Sequence, residues 1–444
     1  MRGRPLRLSL LRASVVAASL LCALALAAQE TPVTLEEALA ASRQVNVRLP
    51  ISALDLSIAR ERVSEARAER WLKVAVEGDF IYAPPNGYDP AITNAGEFRL
   101  QAVGRQTLYD GGARRAAIVR SEAEVGAAAA RYRIAEKDLE LEVRSRFNEF
   151  LQGEREAAAR RDGLDRLARY RTSLESRRAS GQGVAADLLK IDVRLATERA
   201  SLVDTLARRD AARIILNDLM GRDPAAALSL VPLAAPLPPG AMAIVAPALE
   251  GAAEVVAASS DARAADADVS AARAERRPHL NLTGDVGFLG SDTSRLVPGG
   301  LLAVNRNANL GDRVRRDAGY SFMLSLAWPV WDFGAIRSRI RQAELRLESA
   351  RLNVRRQQRE VARQRAQARA TLESAYEQIR ILSEAAPSAR DSYLEAESRY
   401  RGGAATAFEV LDAYTASVDA AVRLSDAISR YRIAEAVAVR WSEP

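Results

Sequence analysis

Few residues in this 444-residue chain are of a type that does chemistry, and those few do not converge. Cys22 is the only cysteine and His279 the only histidine. A thiolate or imidazole metal site needs several such ligands, and a cysteine nucleophile needs a base beside it. His279 falls at a predicted strand start, where a structural role is the better reading. The glycines at 111, 112 and 334 are not followed by the Lys and Ser or Thr of a phosphate-cradling loop. They suit a sharp strand-to-helix transition instead, because glycine tolerates backbone angles that other residues avoid. Among the carboxylates, Thr406-Ala407-Phe408-Glu409 reads as a capping box in which the helix dipole favours the acid. Asp187 reads as the cap of a returning helix, and Tyr400 as a packing residue. With no acid, base, nucleophile or ligand set, the chain is predicted not to be an enzyme and to need no cofactor.

The chain opens with a basic stretch (Arg2, Arg4, Arg7, Arg12), an apolar run from Ala13 to Leu26 and small residues around Ala25-Leu26-Ala27. This pattern predicts an export signal over residues 1–27. Leu21 before Cys22 argues against a lipoprotein signal, which would carry a small residue there. Cys22 would leave with the signal, so the mature chain would form no disulfide. The signal holds four arginines and no acids, which lowers the net charge from +7 to +3, too little to argue for nucleic acid. Beyond the signal no apolar run approaches the ~20 residues of a transmembrane helix. If the mature chain spans a membrane, it does so as a closed β-barrel.

An internal duplication organises the rest. YDGGARRAAI (Tyr109 to Ile118) aligns with WDFGAIRSRI (Trp331 to Ile340), and Asp332 stands 222 positions after Asp110. The same offset carries Glu175, Ser176 and Arg177 onto Glu397, Ser398 and Arg399, and Gly181 onto Gly403. Upstream, ARAER at 66–70 recurs at 272–276 with an offset of 206, so the second copy holds a 16-residue insertion between these anchors. The copies are predicted at 28–221 and 248–444. Residues 222–247, with Pro236, Pro238 and Pro239, read as an extended connector.

Within each copy the hydrophobic period changes. Residues from Gly112 to about Arg178, and again from Gly334, are rich in Ala, Arg, Glu and Leu, predicting helices of roughly 100 Å at ~1.5 Å per residue. Pro387 predicts an interruption late in the second. Each long helix is predicted to turn at a glycine, Gly181 or Gly403, and return as a hairpin. Ahead of each long helix the period is two, as in Tyr320, Phe322, Leu324, Leu326 and Trp328 alternating with Ser321, Met323, Ser325 and Ala327. Strands are predicted at about 71–83, 97–110, 278–289 and 319–331, with long polar loops joining each pair. One apolar and one polar face over about ten residues marks a membrane barrel, although a half-buried soluble strand alternates in the same way. Four strands cannot close a barrel, since barrels begin at about eight. Three chains would supply twelve.

Two helix-strand-strand-helix copies, the strand end PVWDFGA (Pro329 to Ala335) and RYRGGAATAFEVLDA (Arg399 to Ala413) resemble the TolC-type outer membrane efflux and secretion channels over nearly the whole mature chain. The resemblance implies a mainly α fold with membrane β: a homotrimer with a 12-stranded barrel among the outer membrane lipids of a Gram-negative cell and a long periplasmic α-helical barrel. It implies a passive exit duct for a tripartite efflux pump or a type I secretion system, partnered by a periplasmic adaptor and an inner-membrane pump. It further implies that Glu409 and Asp412 form an acidic ring at the periplasmic entrance, and that Asp187 and Tyr400 help to hold the tip shut. Ala405 stands where the family prototype has an arginine that adds to this lock. Pro329, Gly111, Gly112 and Gly334 would shape the strand-to-helix transition. The alternative is a periplasmic adaptor, which also carries long helical hairpins.

Overall fold

The computed structural model describes residues 32–81, 97–180, 185–236, 238, 249–291 and 318–442. The predicted export signal with Cys22, most of both predicted strand-connecting loops, Gly181 and the end of the Pro-rich connector lie outside the described residues. In chain order the elements are α1 (Leu35–Val45), α2 (Arg48–Ala68), β1 (Lys73–Ile81), β2 (Glu97–Tyr109), α3 (Ala113–Ala179), α4 (Ala185–Leu219), α5 (Ala253–Ala274), β3 (His279–Ser291), β4 (Ala318–Ala327), α6 (Ala335–Arg401) and α7 (Ala407–Ser442).

The helices form where helix-favouring residues run without interruption, and they start on side-chain caps. At α1 the Glu37 N–H donates to Thr34 Oγ1 at 3.2 Å and the Thr34 N–H to Glu37 Oε2 at 2.8 Å, a reciprocal capping box. The paired long helices α3 and α6 each hold 67 residues. The interruption expected at Pro387 does not occur: Pro387 lies inside α6. An interior proline forfeits one intrahelical hydrogen bond. Burial of Leu372 and Ala375 before it, and of Tyr393 and Tyr400 after it, holds the helix on both sides.

The four strands form one antiparallel sheet in the order β1-β2-β3-β4, so β1 and β4 are its edges. Their bounds fall close to the alternating segments of the sequence. The largest departure is β4, which ends at Ala327 rather than near residue 331. Pro329 has no N–H to offer a ladder, which accounts for the early end.

The chain divides into two compact units. One comprises Ser52–Tyr132 and Ala253–Arg359 and holds the sheet. Its helices lie in the same order as the strands. Arg67 pairs with Glu122 at 2.7 Å, joining α2 to α3, and Arg131 pairs with Asp261 at 2.8 Å, joining α3 to α5. Arg273 pairs with Glu344 at 2.9 Å, joining α5 to α6, over a cluster of Val269, Ala272, Ala343 and Leu347. Exposed pairs of this kind contribute little energy, but they identify the neighbours.

The other unit takes in the described parts of Met1–Ile51, Arg133–Ala252 and Glu360–Pro444. Its larger core gathers Ala38 and Leu39 of α1, Leu139, Val143, Phe147 and Phe150 of α3, and Leu216 of α4. A second core combines both helical hairpins through Leu167, Tyr170, Ile191, Tyr393, Val410 and Tyr414. Two glycines let the helices approach. A Cβ on Gly153 would stand 2.7 Å from Arg209 Cβ, and one on Gly163 would stand 2.9 Å from the Tyr414 hydroxyl.

Candidate functional site

The period of two in the strands separates two chemically different faces. On one face Arg99 pairs with Asp79, Arg105 with Glu77 at 2.6 Å, and Gln101 Nε2 donates to Asp285 at 3.2 Å. Ser321 also donates to Asp285. These charges and amides satisfy one another across the strands, as a polar lining requires. The opposite face carries Val74, Val76, Leu324 and Leu326, with Tyr320 and Phe322 each 76% exposed. A broad apolar sheet face left uncovered belongs against lipid or another apolar surface. Trp71, Trp328, Trp331 and Phe333 are also exposed, all at the helix-proximal end of the sheet. Amphipathic aromatic rings at one level are the arrangement found at membrane interfaces.

The strand-to-helix turns repeat with the sequence. The Asp110 carboxylate accepts from the N–H of Gly112 at 3.0 Å, the N–H of Arg114 at 2.9 Å and Arg114 Nε at 2.7 Å. Burial pushes the Asp110 carboxyl up, but these donors and the Arg114 charge outweigh it and hold the group below its ordinary value. Asp332 accepts equivalently from Gly334 and Ile336. Both turns need two residues at positive φ: Gly111 and Gly112 at 67° and 99°, Phe333 and Gly334 at 53° and 88°. The surroundings differ. Gly111 is wedged against Ala274 and Arg277, and Arg277 Nη1 donates to its carbonyl at 2.6 Å. Nothing stands within 4 Å of the Cβ position of Gly334, and Phe333 is 92% exposed. Pro329 lies in the segment between β4 and this second turn.

At the hairpin ends Gly403, with φ of 79°, closes α6, donating its N–H to the Tyr400 carbonyl at 3.0 Å. Glu409 engages Thr406 in the expected capping box: its N–H donates to Thr406 Oγ1 at 3.3 Å, and Thr406 Oγ1 donates to Glu409 Oε1 at 3.1 Å. Asp412 is exposed one turn further on. Asp187 sits 4.0 Å from Lys190 Nζ in the first turn of α4. Tyr400 is buried edge-to-face against Tyr170, with ring centroids 5.2 Å apart. Arg177, which sequence reasoning noticed only as part of the repeat, also bridges the hairpins within one chain. Its guanidinium lies 4.6 Å over the Tyr400 ring, and Nη2 donates to the Arg401 carbonyl at 2.6 Å. Tyr170, Tyr393 and Tyr414 are buried in the same core, and the Tyr393 and Tyr414 hydroxyls have no hydrogen-bond partner. Burial pushes the Tyr393 hydroxyl up to about 12, and burial together with Tyr400 and Asp187 raises that of Tyr170. No group of ligating side chains fit for a metal occurs among the described residues, and no described helix is long and apolar enough to cross a membrane.

A family model described as outer membrane efflux protein matches residues 34–222 and again residues 245–437. The chain belongs to this family. Membership puts this efflux protein in the outer membrane, among channels rather than enzymes. It is 27% identical over 264 residues to the outer membrane protein OprJ of Pseudomonas aeruginosa. That stretch takes in 59% of this chain and 52% of OprJ, so the chain matches about half the length of this curated relative. In fold it is similar to VceC from Vibrio cholerae (TM-score 0.76, 18% identity, covering 91% of this chain and 95% of that one). It is also similar to the CmeC channel of Campylobacter jejuni (TM-score 0.77, 15% identity, 91% and 84% covered).

One further cluster of charge in this efflux protein serves the wall of the hairpin rather than a site. Glu156 accepts from Arg160 at 2.9 Å, Thr205 at 3.0 Å and Arg208 at 3.2 Å. Arg160 continues to Glu198 at 3.3 Å, and Glu198 to Arg194 at 2.8 Å. Burial raises the Glu156 carboxyl, but the bonds from Arg160 and Thr205 and the neighbouring cations bring it below its ordinary value. A depressed folded-state pKa gives stability that is complete above the ordinary carboxylate value of ~4.3 and disappears as pH falls through the lowered one. Glu156→Gln is therefore expected to lower the thermal midpoint at pH 7 and to flatten its decline between about pH 5 and pH 3. Melting followed by circular dichroism would check this, and an unchanged acid limb would contradict it.

Proposed function

We propose that this protein is the passive exit duct of an export complex, closed by three copies into one barrel of twelve strands and continued by a periplasmic helical barrel. The observation that carries the reading is the four-stranded sheet with one ion-paired polar face, one uncovered apolar face and two unpaired edges. Such a sheet satisfies its backbone in lipid only by joining further strands, and three copies reach a number of strands known to close. Family membership supports conduction across the outer membrane, powered by an inner-membrane pump and coupled by a periplasmic adaptor. A type I secretion role uses the same duct with a different pump. The adaptor reading is not favoured, because the family model covers both copies rather than a single hairpin. The purified protein in planar bilayers should conduct ions in steps and migrate on gels as a heat-modifiable oligomer; a non-conducting monomer would refute the reading.

The hairpin ends are the gate in this scheme. Asp187 and Tyr400 are proposed to hold the tip shut, with Glu409 and Asp412 ringing the entrance, and Arg177 is added as a bridge between hairpins of one chain. Replacing Arg177 by alanine removes both its bond to the Arg401 carbonyl and its seat over Tyr400. Resting conductance is expected to rise several-fold, since a partly exposed cation-π contact and a charge-assisted hydrogen bond are each worth on the order of 1 kcal/mol. Tyr400→Phe keeps the ring and removes the hydroxyl. An increase from Arg177→Ala alone would assign the clasp to the guanidinium, and an increase from both would include the hydroxyl.

A further inference from the structure

The two copies of the duplication differ sharply in charge along their long helices. Residues 349–372 of α6 hold seven arginines and one acid, a net +6, whereas the equivalent residues 127–150 of α3 hold five cations and five acids. Ile134 and Leu141 of the first copy stand where the second has Arg356 and Arg363.

The surplus is densest over residues 351–359, inside the sheet-bearing unit, where four arginines occur with no acid. Arg351, Arg355 and Arg359 recur at four-residue spacing in one exposed row, with exposed Arg356 beside them. Like charges at this spacing repel along a helix and lower its stability. α3 avoids the cost, because Arg120 is held by Glu124, Arg144 by Glu140 and Arg160 by Glu156, each one turn away. On α6 only Arg351 has an acid nearby, Asp266 at 3.8 Å. The guanidinium groups of Arg355, Arg356 and Arg359 have neither an ion pair nor a hydrogen bond among the described residues. The side of α6 that packs on α5 carries Ala343 and Leu347 instead. The arginines therefore serve neither their own helix nor its neighbours within the chain.

We propose that this row is a docking surface for the cell-wall polymer beneath the outer membrane, the peptidoglycan mesh, which it holds through the free carboxylates of the peptide stems. Chemistry and height both select that occupant. A guanidinium fork matches a carboxylate through two parallel hydrogen bonds, and a row of unpaired forks matches a polymer that repeats its carboxylates. Arg351 to Arg359 lie about 25–35 Å along α6 from the strand-to-helix turn, at ~1.5 Å per residue. They are thus beyond the reach of lipid around the sheet. Arg359 is also still 42 residues from the end of α6 at Arg401, far from the tip proposed to meet other export components. An extended polyanion that crosses the helix part-way along its length fits this position, and lipid headgroups do not.

The inference rests on the periplasmic placement of the helices in the channel reading. The test uses the full chain purified as its native oligomer, with isolated peptidoglycan sacculi as the probe. The protein should sediment with sacculi at low salt and be released several-fold as salt is raised, because exposed charges are screened. Sacculi whose carboxylates have been converted to neutral amides should retain several-fold less. Arg355→Gln, Arg356→Gln and Arg359→Gln together should lower retention several-fold while oligomer recovery and reversal potential stay at the parent's values. Lysine at the same three positions keeps the charge and should retain more than glutamine does. Equal retention of parent and glutamine variant, or by native and amidated sacculi, would overturn the inference and leave the channel reading standing. A glutamine variant that loses the oligomer would assign the arginines to a contact between copies, and one that shifts the reversal potential would assign them to the conduit wall. Either result would overturn the docking surface. A parent that neither conducts nor sediments would overturn both readings.

Discussion

Replacing Glu409 by glutamine and Asp412 by alanine together is expected to abolish the cation preference of the reconstituted channel, lowering the cation-to-anion permeability ratio by roughly tenfold. The reasoning is electrostatic. Carboxylates repeated around a narrow mouth focus field lines and raise the local cation concentration, while anions meet a barrier. The two residues differ in what else they do. Glu409 receives the Thr406 hydroxyl and returns a backbone N–H to it, so its charge is already spent partly on starting α7. Glutamine keeps that capping box and removes only the charge. Asp412 is exposed one turn later, so Asp412→Ala should alter selectivity with little effect on folding. Reversal potentials in a salt gradient, measured for each variant and for the pair, separate the contributions. An unchanged reversal potential in the double variant would remove the acidic ring from the account.

The largest effect on stability is expected at Phe147. Its side chain is fully buried, among Leu139, Val143, Leu151 and Leu216 and against α1. Phe147→Ala removes a ring from a site where long helices cannot collapse around the void without disturbing their other contacts. A loss of about 3–5 kcal/mol follows from large-to-small substitutions in comparable cores, and Phe147→Leu should lose less. Thermal unfolding of the purified protein would register this as a clearly lowered midpoint. A midpoint within a degree of the parent would mean that this core contributes less than its burial implies.

The sequence disclosed the elements well because each is written in a local period. Alternation in steps of two marked the four strands to within a few residues, and uninterrupted Ala, Arg, Glu and Leu marked the 67-residue helices. It erred where a local rule competed with distant packing. Pro387 argues for a break on the basis of its own backbone, yet buried neighbours on both sides carry α6 through it. Phe333 occupies a positive φ that sequence reasoning reserves for glycine, because Asp332 and Gly334 impose the turn around it. Between α6 and α7 the glycine turn at Gly403 and the Thr406–Glu409 cap were legible. Arg177 was not singled out for a role, since nothing local distinguishes an arginine that bridges to residue 401 from the many that pair along their own helix.

By itself, then, the sequence determined that there are two copies of one unit, where each copy changes from strand to helix, and that the strands have a polar and an apolar face. Those properties follow from residue spacing, which acts over a few positions of chain. Only the tertiary structure decided which helices are neighbours, where Gly153 and Gly163 let them close up, and which cations reach across to which rings. Such contacts join positions tens to hundreds of residues apart, and they depend on crossing geometry that sparse apolar stripes leave open. The tertiary structure also decided that the sheet and the helical layer beside it run in one order and end together.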